Sequence, residues 1–132
     1  MIRAPNASQI DLSLIHIYRE LAGELGLSAP VEAHDEREVE RALKAGAPIV
    51  GVNNRNLKTF EVDLATSFRL RSLVLPEIPF VSESGIRTPE ETARLRAAGV
   101  NGVLIGETLM RSPDKKAALS RLQGEFAIDD EN

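Results

Sequence analysis

Four short apolar runs punctuate this chain, each ending in polar residues and each followed by a segment of helical character. They are Pro30-Val31-Glu32-Ala33, Pro48-Ile49-Val50-Gly51-Val52, Pro79-Phe80-Val81-Ser82 and Gly102-Val103-Leu104-Ile105. The runs are nearly continuous rather than alternating, the pattern of parallel strands covered on both faces. Between them lie helix-start signals. Asp35 precedes Glu38 by three residues, and Thr88 precedes Pro89 and Glu91, both at capping-box spacing. Asp63 and Ser112-Pro113 are expected to open two more helices. Val39, Ala42 and Leu43 share one face of the helix after Asp35. Gly46 and Gly99 stand where a helix ends in a left-handed residue.

Asp35 to Gly46 and Thr88 to Gly99 form a weak internal repeat, with the same cap, length and stop. Each is preceded by a strand ending near a glutamate, Glu32 or Glu83. Repeated strand-helix units with parallel strands define the α/β class, as a barrel or a doubly wound sheet. A complete (β/α)8 barrel needs about 250 residues, and this chain has 132. The composition suits one globular domain, at 42% hydrophobic residues and a net charge of −4. Basic residues form no block, which argues against nucleic acid or an anionic membrane as partner. The absence of cysteine excludes thiolate chemistry and fits a reducing, cytoplasmic setting. No apolar run approaches the roughly 20 residues of a membrane span, and no signal-peptide layout opens the chain.

The chemistry-bearing residues cluster at strand ends: Glu32-Ala33-His34-Asp35, Asn53-Asn54-Arg55-Asn56-Leu57, and Ser82-Glu83-Ser84-Gly85-Ile86. Ligands of parallel α/β folds sit at the carboxyl ends of the strands. Gly106-Glu107-Thr108-Leu109-Met110 adds a glycine turn opening a short helix. Ser84-Gly85 and Gly106-Glu107 fit the pair of loops that hold phosphate in barrels, where backbone N–H groups reach the anion. Glu32 reads either as a solvated strand-end residue or as functional, and a lone carboxylate between Val31 and Ala33 in a buried strand favours function. Asn53, Asn54 and Asn56 suit turns as well as a site. His34 beside Asp35 and Glu36 raises a metal reading, but neighbours in an extended chain point apart and a helix cap accounts for Asp35. No metal or cofactor is expected.

Taken together, Ile49-Val50-Gly51-Val52-Asn53-Asn54-Arg55-Asn56-Leu57, Val81-Ser82-Glu83-Ser84-Gly85-Ile86 and Leu104-Ile105-Gly106-Glu107-Thr108-Leu109-Met110-Arg111 resemble indole-3-glycerol-phosphate synthase. Val31-Glu32-Ala33-His34-Asp35-Glu36 resembles the family's fifth strand, with Ala33 in place of the usual valine. The likeness runs from about Arg19 to about Leu122, from the end of helix 4 through helix 8 of a (β/α)8 barrel. Phosphoribosylanthranilate isomerase, another phosphate-binding barrel, fits these motifs less well.

This resemblance implies the C-terminal half of a barrel that makes the indole ring of tryptophan. The implied substrate, 1-(2-carboxyphenylamino)-1-deoxyribulose 5-phosphate, loses carbon dioxide and water to give indole-3-glycerol phosphate. The resemblance makes Glu32 the base-side carboxylate, Asn53 a hydrogen-bonder to substrate and Glu83 a polar support. Arg55 resembles an anion contact, and Ser84, Gly85, Gly106 and Glu107 a phosphate cradle. At Glu107 the backbone N–H is the useful group, because a carboxylate repels phosphate. The family's N-terminal half supplies a glutamate, a lysine and the catalytic-acid lysine, and no segment here resembles them. The fragment is therefore expected to be inactive alone, its partner being the missing half-barrel or a second copy. A non-catalytic half-barrel that binds a phosphorylated ligand or associates through its exposed edges is the competing reading.

Residues 1–18 do not resemble the family, which divides the chain into 1–18 and a half-barrel over 19–132. Leu12-Ser13-Leu14-Ile15-His16-Ile17 is the translation of CTGTCTCTTATACACATC, which resembles the transposase end used in sequencing libraries, and the next base of that element would begin a tyrosine codon, as at Tyr18. The expectation is an artefactual junction to a gene fragment. The competing expectation is a real strand, on the alternation of Ile10, Leu12 and Leu14.

Overall fold

The structure is a computed structural model describing residues 2–3 and 12–124, with the side chains described from residue 15. Its strands are β1 (Ile2–Arg3), β2 (Val31–Ala33), β3 (Val50–Asn53), β4 (Phe80–Glu83) and β5 (Gly102–Leu104). Its helices are α1 (Leu12–Glu24), α2 (Glu36–Lys44), α3 (Ala65–Arg71), α4 (Pro89–Ala97), α5 (Glu107–Arg111) and α6 (Lys115–Gln123). Pro30, Pro48 and Pro79 precede their strands, where a missing N–H costs no ladder bond.

All pairings are parallel, and the spatial order β1-β2-β3-β4-β5 is the sequence order. That order settles the choice between a barrel and a doubly wound sheet. A doubly wound sheet reverses direction at a switch point, whereas here every crossover advances one strand the same way. The sheet is an arc of a (β/α)8 barrel, incomplete in this chain.

Register decides which residues share a face. Glu32 pairs Gly51, Gly51 pairs Val81 and Val81 pairs Gly102, while Asn53 pairs Glu83 and Glu83 pairs Leu104. With a side-chain period of two, these residues form one face of the sheet. Val31, Ala33, Val50, Val52, Phe80 and Ser82 form the opposite face, and all six are fully buried. Ile15, Val39, Ala42, Leu70 and Leu95 complete the core against them. The expectation of strands covered on both faces holds for β2 and β3, buried on both sides except at the half-buried Asn53, and fails at the edge strand β5. Helices cover one face, and on the other Leu104 remains 55% exposed.

The repeat holds in three dimensions. α2 and α4 each have nine residues, with Asp35 and Thr88 accepting the N–H of Glu38 and Glu91. Gly46 and Gly99 follow with φ of 69° and 84°. Only Thr88 forms a full capping box. The Glu38 carboxylate accepts instead from the His34 backbone N–H, at 2.8 Å. Glu38 is thereby buried, while Glu36, Arg37 and Glu40 of the same helix are exposed. The last helix begins at Lys115, capped by Asp114 rather than by Ser112, whose hydroxyl donates to the Asp114 carbonyl. Asp63 does serve α3, its Oδ1 accepting the Ala65 N–H at 2.9 Å.

Residues 12–18 lie in α1, not in a strand; Ile10 falls outside the described residues. The helix wins because Ile15, Arg19 and Ala22, at helical spacing, make its inward side. Arg19 also ties α1 to the end of α2, its Nη1 donating to the carbonyls of Ala45 and Gly46. No described helix is long and apolar enough to cross a membrane.

Candidate active site

Glu32, Asn53 and Glu83 come from the carboxyl ends of three adjacent strands and face the same side of the sheet. Asn53 joins two of these strands, its Nδ2 donating to Glu32 Oε1 at 3.3 Å while its Oδ1 accepts the Arg55 N–H at 3.0 Å. Glu83 is 5% exposed, and its Oε1 is buried without a hydrogen-bond partner. Burial, and secondarily the charge of Glu32, raise its pKa from 4.5 to about 7. Glu83 thus holds its proton to higher pH than a free carboxyl, beside a second carboxyl group on Glu32.

The loop after β4 turns sharply through Ser84 (φ 68°) and Gly85 (φ 77°). A Cβ on Gly85 would stand 2.2 Å from Val62 Cγ1, so this position requires glycine for space as well as for φ. Ser84 tolerates its left-handed backbone because its carbonyl is held by Asn54 Nδ2 at 3.0 Å. Asn54 is 3% exposed and forms a buried knot. Its Nδ2 also donates to Ser82 Oγ (3.0 Å), and its Oδ1 accepts from Ser67 N (3.1 Å) and Ser67 Oγ (2.7 Å). Asn56 Oδ1 accepts the N–H groups of Lys58 and Thr59, as a turn former does. The three asparagines of one motif therefore have three different tasks.

A cleft of about 1030 Å³ contains Arg55, Glu83, Ser84, Gly85, Gly106 and Glu107. All five residues expected to bind substrate are thus brought together with one of the three expected to act in catalysis. Arg87, Arg111 and Arg121, which sequence reasoning did not single out, add positive charge to the same lining. The Glu107 carboxylate is turned to two guanidiniums, 3.1 Å from Arg55 Nη2 and 3.0 Å from Arg111 Nη2. Its charge is balanced locally.

Sequence reasoning also passed over His34 and Glu38 as an acid-base pair. Nδ1 of His34 lies 3.0 Å from Glu38 Oε2, and Nε2 lies 3.1 Å from Glu32 Oε1. The two-residue and four-residue spacings of this trio were the available signal. Among the described residues no group of three His, Asp or Glu side chains is arranged to hold a metal ion.

The sequence pattern of indole-3-glycerol phosphate synthase matches residues 7–122. The chain belongs to that family. The synthase of Ruminiclostridium cellulolyticum is 58% identical over 115 residues, 87% of this chain and 44% of that protein. The Leuconostoc mesenteroides synthase is 56% identical over 108 residues, 82% of this chain and 41% of that protein. The chain thus spans less than half the length of these indole-3-glycerol phosphate synthases. Two solved structures share the fold alone. A chain of the Amycolatopsis orientalis BexX/CysO complex aligns with a TM-score of 0.55 at 22% identity, covering 85% of this chain and 50% of its own. The YdjI aldolase of Escherichia coli aligns at 0.50 and 23% identity, over 79% of this chain and 43% of its own.

Proposed function

We propose that this chain is the C-terminal half of an indole-3-glycerol phosphate synthase barrel, a cytoplasmic carboxy-lyase of tryptophan biosynthesis. The reaction is the decarboxylating ring closure of 1-(2-carboxyphenylamino)-1-deoxyribulose 5-phosphate, with loss of carbon dioxide and water. The observation that carries this reading is the convergence of Glu32, Asn53 and Glu83 on one sheet face beside an arginine-lined cleft. Glu32 takes the proton, Asn53 fixes the Glu32 carboxylate and meets substrate, and Glu83 supports the polar pocket. Phosphate sits between Ser84-Gly85 and Gly106-Glu107. Arg55 supplies charge there, and the pairing of the Glu107 carboxylate with Arg55 and Arg111 reduces its repulsion of the anion.

The acid that assists departure of the ribulose hydroxyl belongs to the N-terminal half, so this chain alone is inactive. The decisive experiment mixes it with the N-terminal half of the Ruminiclostridium cellulolyticum synthase and follows indole-3-glycerol phosphate by fluorescence. The chain has no Trp to obscure the signal. The expected result is turnover by the complex and none by the chain. In the complex, Glu32→Gln should lower kcat by about 10²–10⁴ with a smaller effect on KM. Robust turnover by the chain alone, or a folded complex without turnover, defeats the reading.

The second reading is a non-catalytic half-barrel that binds a phosphorylated ligand or self-associates. The exposed Val103 and Leu104 of β5, the last strand of the arc, favour self-association. Sedimentation of the chain with and without the N-terminal half separates the two: a stable self-dimer that the added half does not dissociate supports the second.

A further inference from the structure

His34 directly follows β2, and each of its ring nitrogens faces a carboxylate. Nδ1 lies 3.0 Å from Glu38 Oε2, and that same oxygen accepts the His34 backbone N–H at 2.8 Å. Nε2 lies 3.1 Å from Glu32 Oε1, at salt-bridge distance but outside hydrogen-bond geometry. The chain builds this arrangement locally. Glu32 and His34 are two residues apart on an extended segment and so project to the same side. Asp35 caps α2 and fixes its first turn, and Glu38 folds back from that turn onto His34.

A neutral imidazole has one N–H, whereas an imidazolium has two and favours a carboxylate at each nitrogen. Glu32, and after it Glu38, accordingly raise the His34 pKa to about 9, with partial burial opposing them. Glu83 faces the same group from β4, and its own proton affinity is lowered by His34 and raised by Glu32. Lys58, from the loop after β3, and Arg69, from α3, line the cavity on the His34 side. A protonated His34 places a positive charge 3.1 Å from Glu32 Oε1.

We propose that His34, locked by Glu38, is the positioning residue for Glu32, so that a carboxylate of α2 sets the geometry of the site carboxylate on β2. This rests on Glu32 being the proton acceptor of the synthase reading. Glu38 does not reach the reaction itself. It restrains the imidazole from both the ring and the backbone, and the imidazole restrains Glu32.

The first test uses the full chain alone, isotopically labelled, with the imidazole resonances followed against pH and assigned with a His16→Gln variant. His34 should stay protonated to about pH 9. Glu38→Gln should lower its midpoint by about one unit or more, while the amide oxygen preserves the bond from the His34 N–H and leaves the circular dichroism unchanged. A midpoint at the ordinary 6.5, or one that Glu38→Gln does not move, overturns the proposal. The second test uses the complex with the N-terminal half. His34→Gln and Glu38→Gln should each lower kcat about tenfold with little change in KM, and His34→Gln, which removes the cation beside Glu32, should also shift the acidic limb of the pH profile upward. The double variant should be no worse than His34→Gln, because Glu38 acts only through His34. Additive losses, or losses confined to KM, overturn it. If the unsubstituted complex folds without turnover, the synthase reading fails, and the imidazole titration decides the clamp on its own.

Discussion

Asn54→Ala should destabilise the chain by about 1–3 kcal/mol. The substitution deletes the bonds to Ser82 Oγ, Ser84 O, Ser67 N and Ser67 Oγ. The two serine hydroxyls retain each other at 2.7 Å. The Ser67 N–H keeps the Leu64 carbonyl at 3.1 Å, whereas the carbonyl of the half-buried Ser84 loses the Asn54 bond. A net loss of about 1 kcal/mol per deleted bond, reduced where Ser67 keeps Leu64 and Ser84 meets water, sets the range. Ser67→Ala removes only a hydroxyl and should cost about 1 kcal/mol. Urea unfolding followed by far-ultraviolet circular dichroism measures both, with an unchanged m-value required for the comparison. An Asn54→Ala effect below about 0.5 kcal/mol, or one smaller than that of Ser67→Ala, refutes the assignment of Asn54 as the knot. The same variant should loosen Ser84, whose left-handed backbone would lose its carbonyl anchor.

Gly85→Ala combines a left-handed φ with a contact against Val62, and should cost more than about 2 kcal/mol; a thermal melt unchanged within error would reject the close packing of this turn. Because Glu83 binds its proton more tightly folded, its stabilisation is complete below pH 4.5 and is lost as pH rises through about 7. Glu83→Gln should flatten the stability profile in that window, and an unaltered slope from pH 4.5 to 7 would contradict the burial effect. The His34 contribution has the same sign over a higher window, complete below 6.5 and lost as pH rises through about 9. Stability of His34→Gln should therefore depart from that of the unsubstituted chain mainly above neutrality; parallel profiles from pH 6.5 to 9 would argue against a folded-state imidazolium.

Much of the architecture is written locally. Proline before each of three apolar runs, Asp35 and Thr88 as caps, and Gly46 and Gly99 as stops act within a few residues, so their effect is legible without any tertiary contact. Strand-end polar clusters likewise marked Glu32, Asn53, Glu83 and the glycine turns, because α/β folds put ligands at that end of the sheet. The sequence also contained the family's motifs at family-like spacing, on which membership could be read.

Other properties depend on distant segments meeting. Strand order separated a barrel arc from a doubly wound sheet, and no single strand-helix unit specifies it. Register placed Glu32 and Glu83 on one face, where burial and the charge of Glu32 raise the Glu83 pKa. Arg71 reads as an ordinary helix cation, yet it is buried with its Nε donating to the Gly99 carbonyl at 2.8 Å and its guanidinium over Phe80. Asn54 looks like its neighbours Asn53 and Asn56 until α3 delivers Ser67 to it. Local propensity acts through the few dihedrals of neighbouring residues. Burial, charge coupling and hydrogen-bond partnership depend on distances between residues far apart in the chain, and those were decided only when the helices packed on the sheet.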